Sequence, residues 1–243
     1  MNPLWLRILY QAATAAVVLA VLRRRRGEVP AFTVYLVTVW TLELVVFFWP
    51  ERFFTRPFWI AQEIAYGTLR LLVVCDLAGR TLRRCRIGAV RWTTAAFLTL
   101  GATALLVAIA TPVPVYQCRL HEREGVDCAM FEIFFMSTVP RLVNATIWAV
   151  TWLAVLAHGL ALPLTRWERA IAIGFAFYLA VFSTALSAVA QLGLTSRTDA
   201  DVLRTLAWVV LCGWWVRQAL APASAADAET LGLRARPVVE AVA

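Results

Sequence analysis

The chain has 243 residues, 61% hydrophobic and 16% charged, with a formal net charge of +8 and a mean hydropathy of +0.72. An average soluble domain is about 45–50% apolar and about 25% charged, so an integral membrane protein replaces the water-soluble globule as the default. All 23 basic residues are arginine, and they cluster in short stretches between apolar runs, which assigns the positive charge to membrane orientation and away from nucleic acid binding.

Seven apolar segments follow one another at about 4–22, 31–50, 58–79, 92–112, 130–161, 168–191 and 202–220. Each is long enough to cross a hydrocarbon core of about 30 Å at about 1.5 Å per residue. The expected fold is all-α: a polytopic membrane protein with a single bundle of seven transmembrane helices over residues 1–221. A short, flexible, Ala-rich cytoplasmic tail, 222–243, follows.

The first segment, MNPLWLRILY and onward, has no basic stretch before its apolar run and four arginines, Arg23 to Arg26, after it. It reads as a retained span with the N-terminus outside, not as a cleaved signal peptide. The second carries Glu43 near its far end. The third, FWIAQEIAYGTLRLLVVCDLAGR from Phe58 to Arg80, carries Glu63, Arg70 and Asp76, each expensive in hydrocarbon unless paired or hydrated. Glu63 and Arg70 are seven residues apart, two helical turns, and so share a face with Tyr66 between them. Asp76 lies four residues before Arg80 and reaches it near the inner end.

The basic loop from Arg80 to Arg91 is a docking place for a protein partner or anionic membrane lipid. The loop 111–130 is the longest outer connection and holds Cys118 and Cys128, for which a disulfide is expected on the oxidising side. Cys75, Cys85 and Cys212 read as small reduced hydrophobes. The fifth segment exceeds the length a span needs, is kinked by Pro140, and contributes Arg141, Asn144 and Trp148. Ser183, Thr184 and Ser187 in the sixth are packing and backbone-bonding groups. AATAAVVLAVL in the first segment and NATIWAVTWLAVL in the fifth echo each other, as a three-plus-one-plus-three repeat would.

Orientation follows from the arginines on alternate loops. Eleven lie on one side, Arg23 to Arg26, Arg80, Arg83, Arg84, Arg86, Arg91, Arg166 and Arg169, and five on the other, Arg52, Arg56, Arg119, Arg123 and Arg197. The richer side is cytoplasmic, which places the C-terminus inside; the dominance of Ala, Val, Leu and Arg with no Lys suggests a GC-rich bacterial genome and hence a bacterial inner membrane. Trp5, Trp49, Trp59, Trp92 and Trp167 fall at interface positions.

Measured from the outer edges, Arg70 and Arg141 both lie about 16 Å deep, Glu43 about 10 Å and Glu63 about 6 Å, with Glu132 shallower still. Neighbouring helices would gather Glu43, Glu63, Arg70, Arg141 and Asn144 into one polar cluster lined by Gln62, Tyr66 and Trp148. Such a cluster has two readings. One is a set of interhelical ion pairs that fix packing. The other is an outward-facing cavity whose arginines grip a small anion or carboxylate-bearing ligand in bidentate fashion.

No metal or cofactor is expected. His121 and His158 are too far apart for a bis-His haem, no lysine exists for a retinal Schiff base, and no GxSxG, HExxH, P-loop, GxGxxG or paired CxxC occurs. The chain is not expected to be an enzyme. It reads first as a sensor or ligand-binding module acting through a protein partner, then as a transporter or channel for a small anion, then as a structural subunit of a larger membrane complex.

Several stretches together resemble a group of bacterial seven-helix integral membrane proteins with no established activity: Arg23 to Arg26, VPAFTVYLV, the third segment, and Arg91-Trp92. Phe58-Trp59 and Glu63 stand where the group has a Tyr-Trp-x-x-x-Glu entry to the third span, with Phe in place of Tyr. Asp76 stands where Glu is more usual. IAIGFAF, Ile171 to Phe177, and Trp214-Trp215 are similar to the group's later blocks. The resemblance implies a shared topology in which Trp59, Glu63 and Asp76 belong to the framework.

Overall fold

The computed structural model describes residues 4–53, 55–84, 99, 101–103, 106, 110, 143–153, 164–192 and 197–222. The elements among them are all helices: α1 (Leu4–Arg24), α2 (Pro30–Phe48), the single turn α3 (Pro50–Phe53), α4 (Arg56–Arg84), α5 (Val143–Leu153), α6 (Arg166–Leu192) and α7 (Arg197–Leu220). Three stretches are long and apolar enough to cross a membrane: α1, α2 and the part of α6 from Arg166 to Ala185. Cys118, Cys128, Arg141, Pro140 and the fourth loop-to-span junction at Arg91-Trp92 lie outside the described residues.

Each helix begins or ends for a local reason. Gly27, at φ 86°, takes the left-handed turn between α1 and α2 that costs a side-chain-bearing residue strain. Pro30 then occupies the first turn of α2, where its missing N–H loses nothing. At α6, Thr165 and Glu168 form a reciprocal capping box: the Glu168 N–H donates to Thr165 Oγ1 at 3.2 Å, and the Thr165 N–H donates to Glu168 Oε2 at 2.9 Å. This satisfies two of the donors a helix start leaves open.

α4 runs beyond the apolar segment 58–79 at both ends, and at its C-terminal end the charges are satisfied within the helix or by a neighbour. Arg80 Nε donates to Asp76 Oδ1 at 2.8 Å one turn back, and Arg83 and Arg84 sit in the last turn, where the helix dipole favours cations.

Side-chain contacts give the helix directions. Along α6 and α7 they run antiparallel: Phe182 meets Arg204, Tyr178 meets Trp208, and Arg166 Nε bonds Gln218 Oε1 at 2.9 Å. α2 and α4 are likewise antiparallel, with Glu43 near Gln62 and the Ala31 N–H donating to Asp76 Oδ2. α1 and α7 run parallel: Trp208 Nε1 donates to Thr14 Oγ1 at 2.9 Å at mid-helix, and Arg25 donates to the Ala219 and Ala221 carbonyls at the C-terminal ends.

The core is aromatic and faces inward from helical stripes. Phe32, Tyr35, Leu36 and Val39 of α2, Trp167, Ile171, Phe175, Tyr178 and Phe182 of α6, and Trp208, Leu211, Cys212 and Trp215 of α7 are buried at three- and four-residue spacing, the period of one helix face. Phe32 sits edge-on to Trp167, Phe175 and Trp215, with centroids 4.9–5.8 Å away. The opposite faces stay apolar: Leu19, Val34, Val37, Phe48 and Val210 are exposed. A helix apolar all round suits hydrocarbon as surroundings and not water.

Candidate functional site

Two polar layers cross the bundle. The first gathers at the end formed by the C-termini of α1, α4 and α7 and the N-termini of α2 and α6. There the Arg84 guanidinium makes a two-pronged bond to the buried Glu168 carboxylate, which α6 has already oriented through its capping box. Asp76 bonds Arg80 and the α2 N-terminus, and Arg25 closes on Glu28 at 3.0 Å and on two carbonyls at the end of α7. Orphan groups of three helix ends are thus satisfied by side chains.

The second layer lies towards the opposite end and is built on one stripe of α4. Gln62, Glu63, Tyr66 and Arg70 are buried there, spaced three and four apart so that they line a single face. Gln62 Nε2 donates to Glu43 Oε1 of α2 at 3.0 Å and to the Tyr66 hydroxyl at 2.7 Å. The Tyr66 hydroxyl is in turn 3.4 Å from Glu43 Oε1 and from the Val39 carbonyl.

One turn further along, the Arg70 guanidinium lies 5.9 Å from the Tyr66 ring centre and 5.6 Å from that of Phe182 on α6. This is cation–π distance, and the Tyr35 hydroxyl is also within its reach. A long helical side chain leans towards its own N-terminus, which carries the Arg70 charge back towards Tyr66 and Glu63.

A second guanidinium completes this layer. Arg204, on the first turns of α7, stands 5.7 Å from the same Phe182 ring and pairs at the rim with Asp201 at 3.4 Å. Tyr10, Tyr35, Tyr66 and Tyr178, from four different helices, are linked by ring contacts nearby: Tyr10, Tyr35 and Tyr178 each pack against Trp208, and Tyr66 sits edge-on to Tyr35. Arg204 and the tyrosines other than Tyr66 carried no expectation from the sequence. The available signal was position: Arg204 opens the last apolar segment at the end where Glu43 and Glu63 also lie.

The two layers differ in how completely they are satisfied. Arg70 is 4% exposed and Glu63 is 7% exposed, yet Arg70 Nε and Glu63 Oε2 have no hydrogen-bond partner among the described residues. Neither side chain has an ion pair within 4.0 Å among the described residues. A buried polar atom left unmet costs about 1–3 kcal/mol, more when charged.

Comparison of the chain with family models, with curated proteins and with solved structures finds no match. The site is therefore read from its own chemistry. Of the sequence-predicted residues, Glu43, Gln62, Glu63, Tyr66 and Arg70 fall in this one layer. Asn144 is on α5, where its Oδ1 accepts from Ser183 Oγ at 3.0 Å, next along α6 from Phe182. Trp148 sits edge-on to Trp152 at 5.8 Å, its Nε1 without a partner among the described residues. Arg141 lies outside the described residues, as does the Cys118–Cys128 pair; the described cysteines, Cys75 and Cys212, are free thiols. Among the described residues no three His, Cys, Asp or Glu side chains gather as a metal site.

Proposed function

We propose that this chain is a seven-helix protein of a bacterial cytoplasmic membrane, N-terminus outside, that works as a sensor or ligand-binding module. Its ligand is a small molecule bearing a carboxylate or similar oxyanion, held in the layer of Glu43, Glu63, Tyr66 and Arg70, with Asn144 and Trp148 alongside and Arg141 contributing from the fifth span. A protein partner reads the bound state. No bond-breaking chemistry is assigned to the chain.

One observation carries the reading. The charges of one layer are met by capping boxes, two-pronged bonds and helix-end carbonyls, whereas the other layer keeps a sealed donor on Arg70 and a sealed acceptor on Glu63 without partners among the described residues. Charge at such a depth is retained for what it binds more often than for packing. The satisfied layer also favours a sensor over a transporter, since Arg84–Glu168 ties α4 to α6 across the end through which a solute would leave.

The orientation is supported by the helix ends. Arg23, Arg24, Arg26, Arg83, Arg169 and Arg217 are exposed at the satisfied end, which is the cytoplasmic face by the positive-inside rule. It is also the surface for a partner or anionic lipid.

The test is titration calorimetry of small carboxylates and phosphate against the full chain in nanodiscs, with Arg70→Ala and Arg70→Lys beside it. Heat that disappears in Arg70→Ala is the expected result. Binding indifferent to both substitutions would remove the cluster from the function.

A further inference from the structure

The ligand's chemistry can be narrowed further, on the reading that this layer is a ligand site. We infer that the layer takes a zwitterion, its oxyanion held between Arg70 and Arg204 and its ammonium set against Glu63 and the tyrosine rings.

Three features point the same way. The first is charge content. The layer holds two guanidinium groups, Arg70 and Arg204, both beside the Phe182 ring, and the carboxylates of Glu43 and Glu63, with Asp201 paired to Arg204 at the rim. A bare anion entering this layer would leave an uncompensated negative charge in a low-dielectric interior, which is costly. A bare cation would leave the two guanidinium groups competing with it. A ligand that is neutral as a whole, yet charged at both ends, meets groups of both signs without changing the net charge of the layer.

The second feature is the pair of unmet atoms. Arg70 Nε is a donor and requires an acceptor, whereas Glu63 Oε2 is an acceptor and requires a donor. A carboxylate or phosphate alone answers only the first, and an amine alone only the second. They lie two turns apart on one face of α4, so a ligand lying along that face is offered a donor at one end and an acceptor at the other.

The third is the lining. Phe182 lies at cation–π distance from both guanidinium groups, and each planar fork suits bidentate capture of an oxyanion. The Tyr35, Tyr66 and Tyr178 rings surround the rest: Tyr35 and Tyr66 are 6.5 Å apart edge-on, and Tyr178 stacks 6.2 Å from Phe182. Aromatic faces of this kind attract an ammonium or quaternary nitrogen. Arg204 also gives the ligand leverage, because an oxyanion shared by Arg70 and Arg204 ties α4 to α7.

Two sources supply this chemistry: a free solute such as an amino acid or betaine, and the headgroup of a zwitterionic phospholipid. The experiment uses the full chain in nanodiscs of phosphatidylglycerol alone. Thermal unfolding and calorimetry are followed with glycine, glycine betaine and glycerophosphoethanolamine, and with acetate and tetramethylammonium as single-charge controls.

The expected result is that at least one zwitterion binds about tenfold or more tightly than either control. Glu63→Gln, which keeps shape and removes charge, then narrows that advantage, and Arg204→Lys lowers zwitterion affinity. Nanodiscs containing phosphatidylethanolamine separate the sources: a headgroup ligand raises the unfolding temperature unaided and competes with the soluble probe, whereas a free solute ligand is unaffected by the lipid. Acetate binding as tightly as every zwitterion overturns the inference and leaves the oxyanion module standing. Silence from all five probes, with the variants folded, overturns both.

Discussion

At the residue scale, the closest packing in the bundle depends on what is missing from Gly174. A Cβ at that position would stand 2.6 Å from Trp215 Nε1 and 2.7 Å from Leu211 Cδ1, well inside contact distance. The bare backbone lets the Trp215 indole lie against α6 and donate to the Ala170 carbonyl at 3.2 Å. Gly174→Ala is therefore expected to destabilise the protein by about 1–3 kcal/mol through overpacking, read as a lower unfolding temperature in detergent; a variant as stable as wild type would show that α7 can shift freely. Tyr66→Phe removes the hydroxyl that accepts from Gln62 while Gln62 keeps Glu43. The expected loss is about 1 kcal/mol of stability, checked by the same melt.

At the element scale, the start of α6 does two things with one carboxylate. Glu168 closes the capping box with Thr165 and holds Arg84 of α4. Glu168→Ala removes the cap and the carboxylate that Arg84 holds in two-pronged fashion, for an expected loss of about 2–3 kcal/mol. Glu168→Gln keeps the shape and one acceptor and is expected to lose less. Equal melting of the two variants would mean that the charge of this pair does not matter. The Thr-x-x-Glu spacing of that box is visible in the sequence, whereas Arg84 as its third member is not, because 84 residues separate the partners. α4 teaches a similar lesson: charge ended the apolar segment at 79, but charge that finds partners continues a helix to Arg84.

At the scale of the whole molecule, the arrangement of helix ends makes a topological prediction. In a cysteine-free background, Thr55→Cys is expected to react with a membrane-impermeant maleimide on intact cells, while Arg26→Cys is expected to react only after permeabilisation. The reverse pattern would turn the protein over and place the unmet polar layer towards the cytoplasm. Burial is also organised at this scale: the exposed faces of α1, α2 and α7 are as apolar as parts of the core, because lipid makes no demand for a polar surface.

The sequence by itself determined that the chain is apolar and helical, with stretches long enough to cross a membrane, and that Glu63, Tyr66 and Arg70 share a face. Those properties are one-dimensional: composition, segment length and a period of about 3.6 residues need no knowledge of neighbours. The i,i+4 spacing also gave the Asp76–Arg80 pair. Only the tertiary structure decided the partners between helices: it sent Glu168 to Arg84, added the α2 N-terminus to Asp76, and brought Arg204 to the Phe182 ring that Arg70 also meets. Helical periodicity says which side of a helix a residue is on, but not which helix faces it, and buried charges are defined by what faces them.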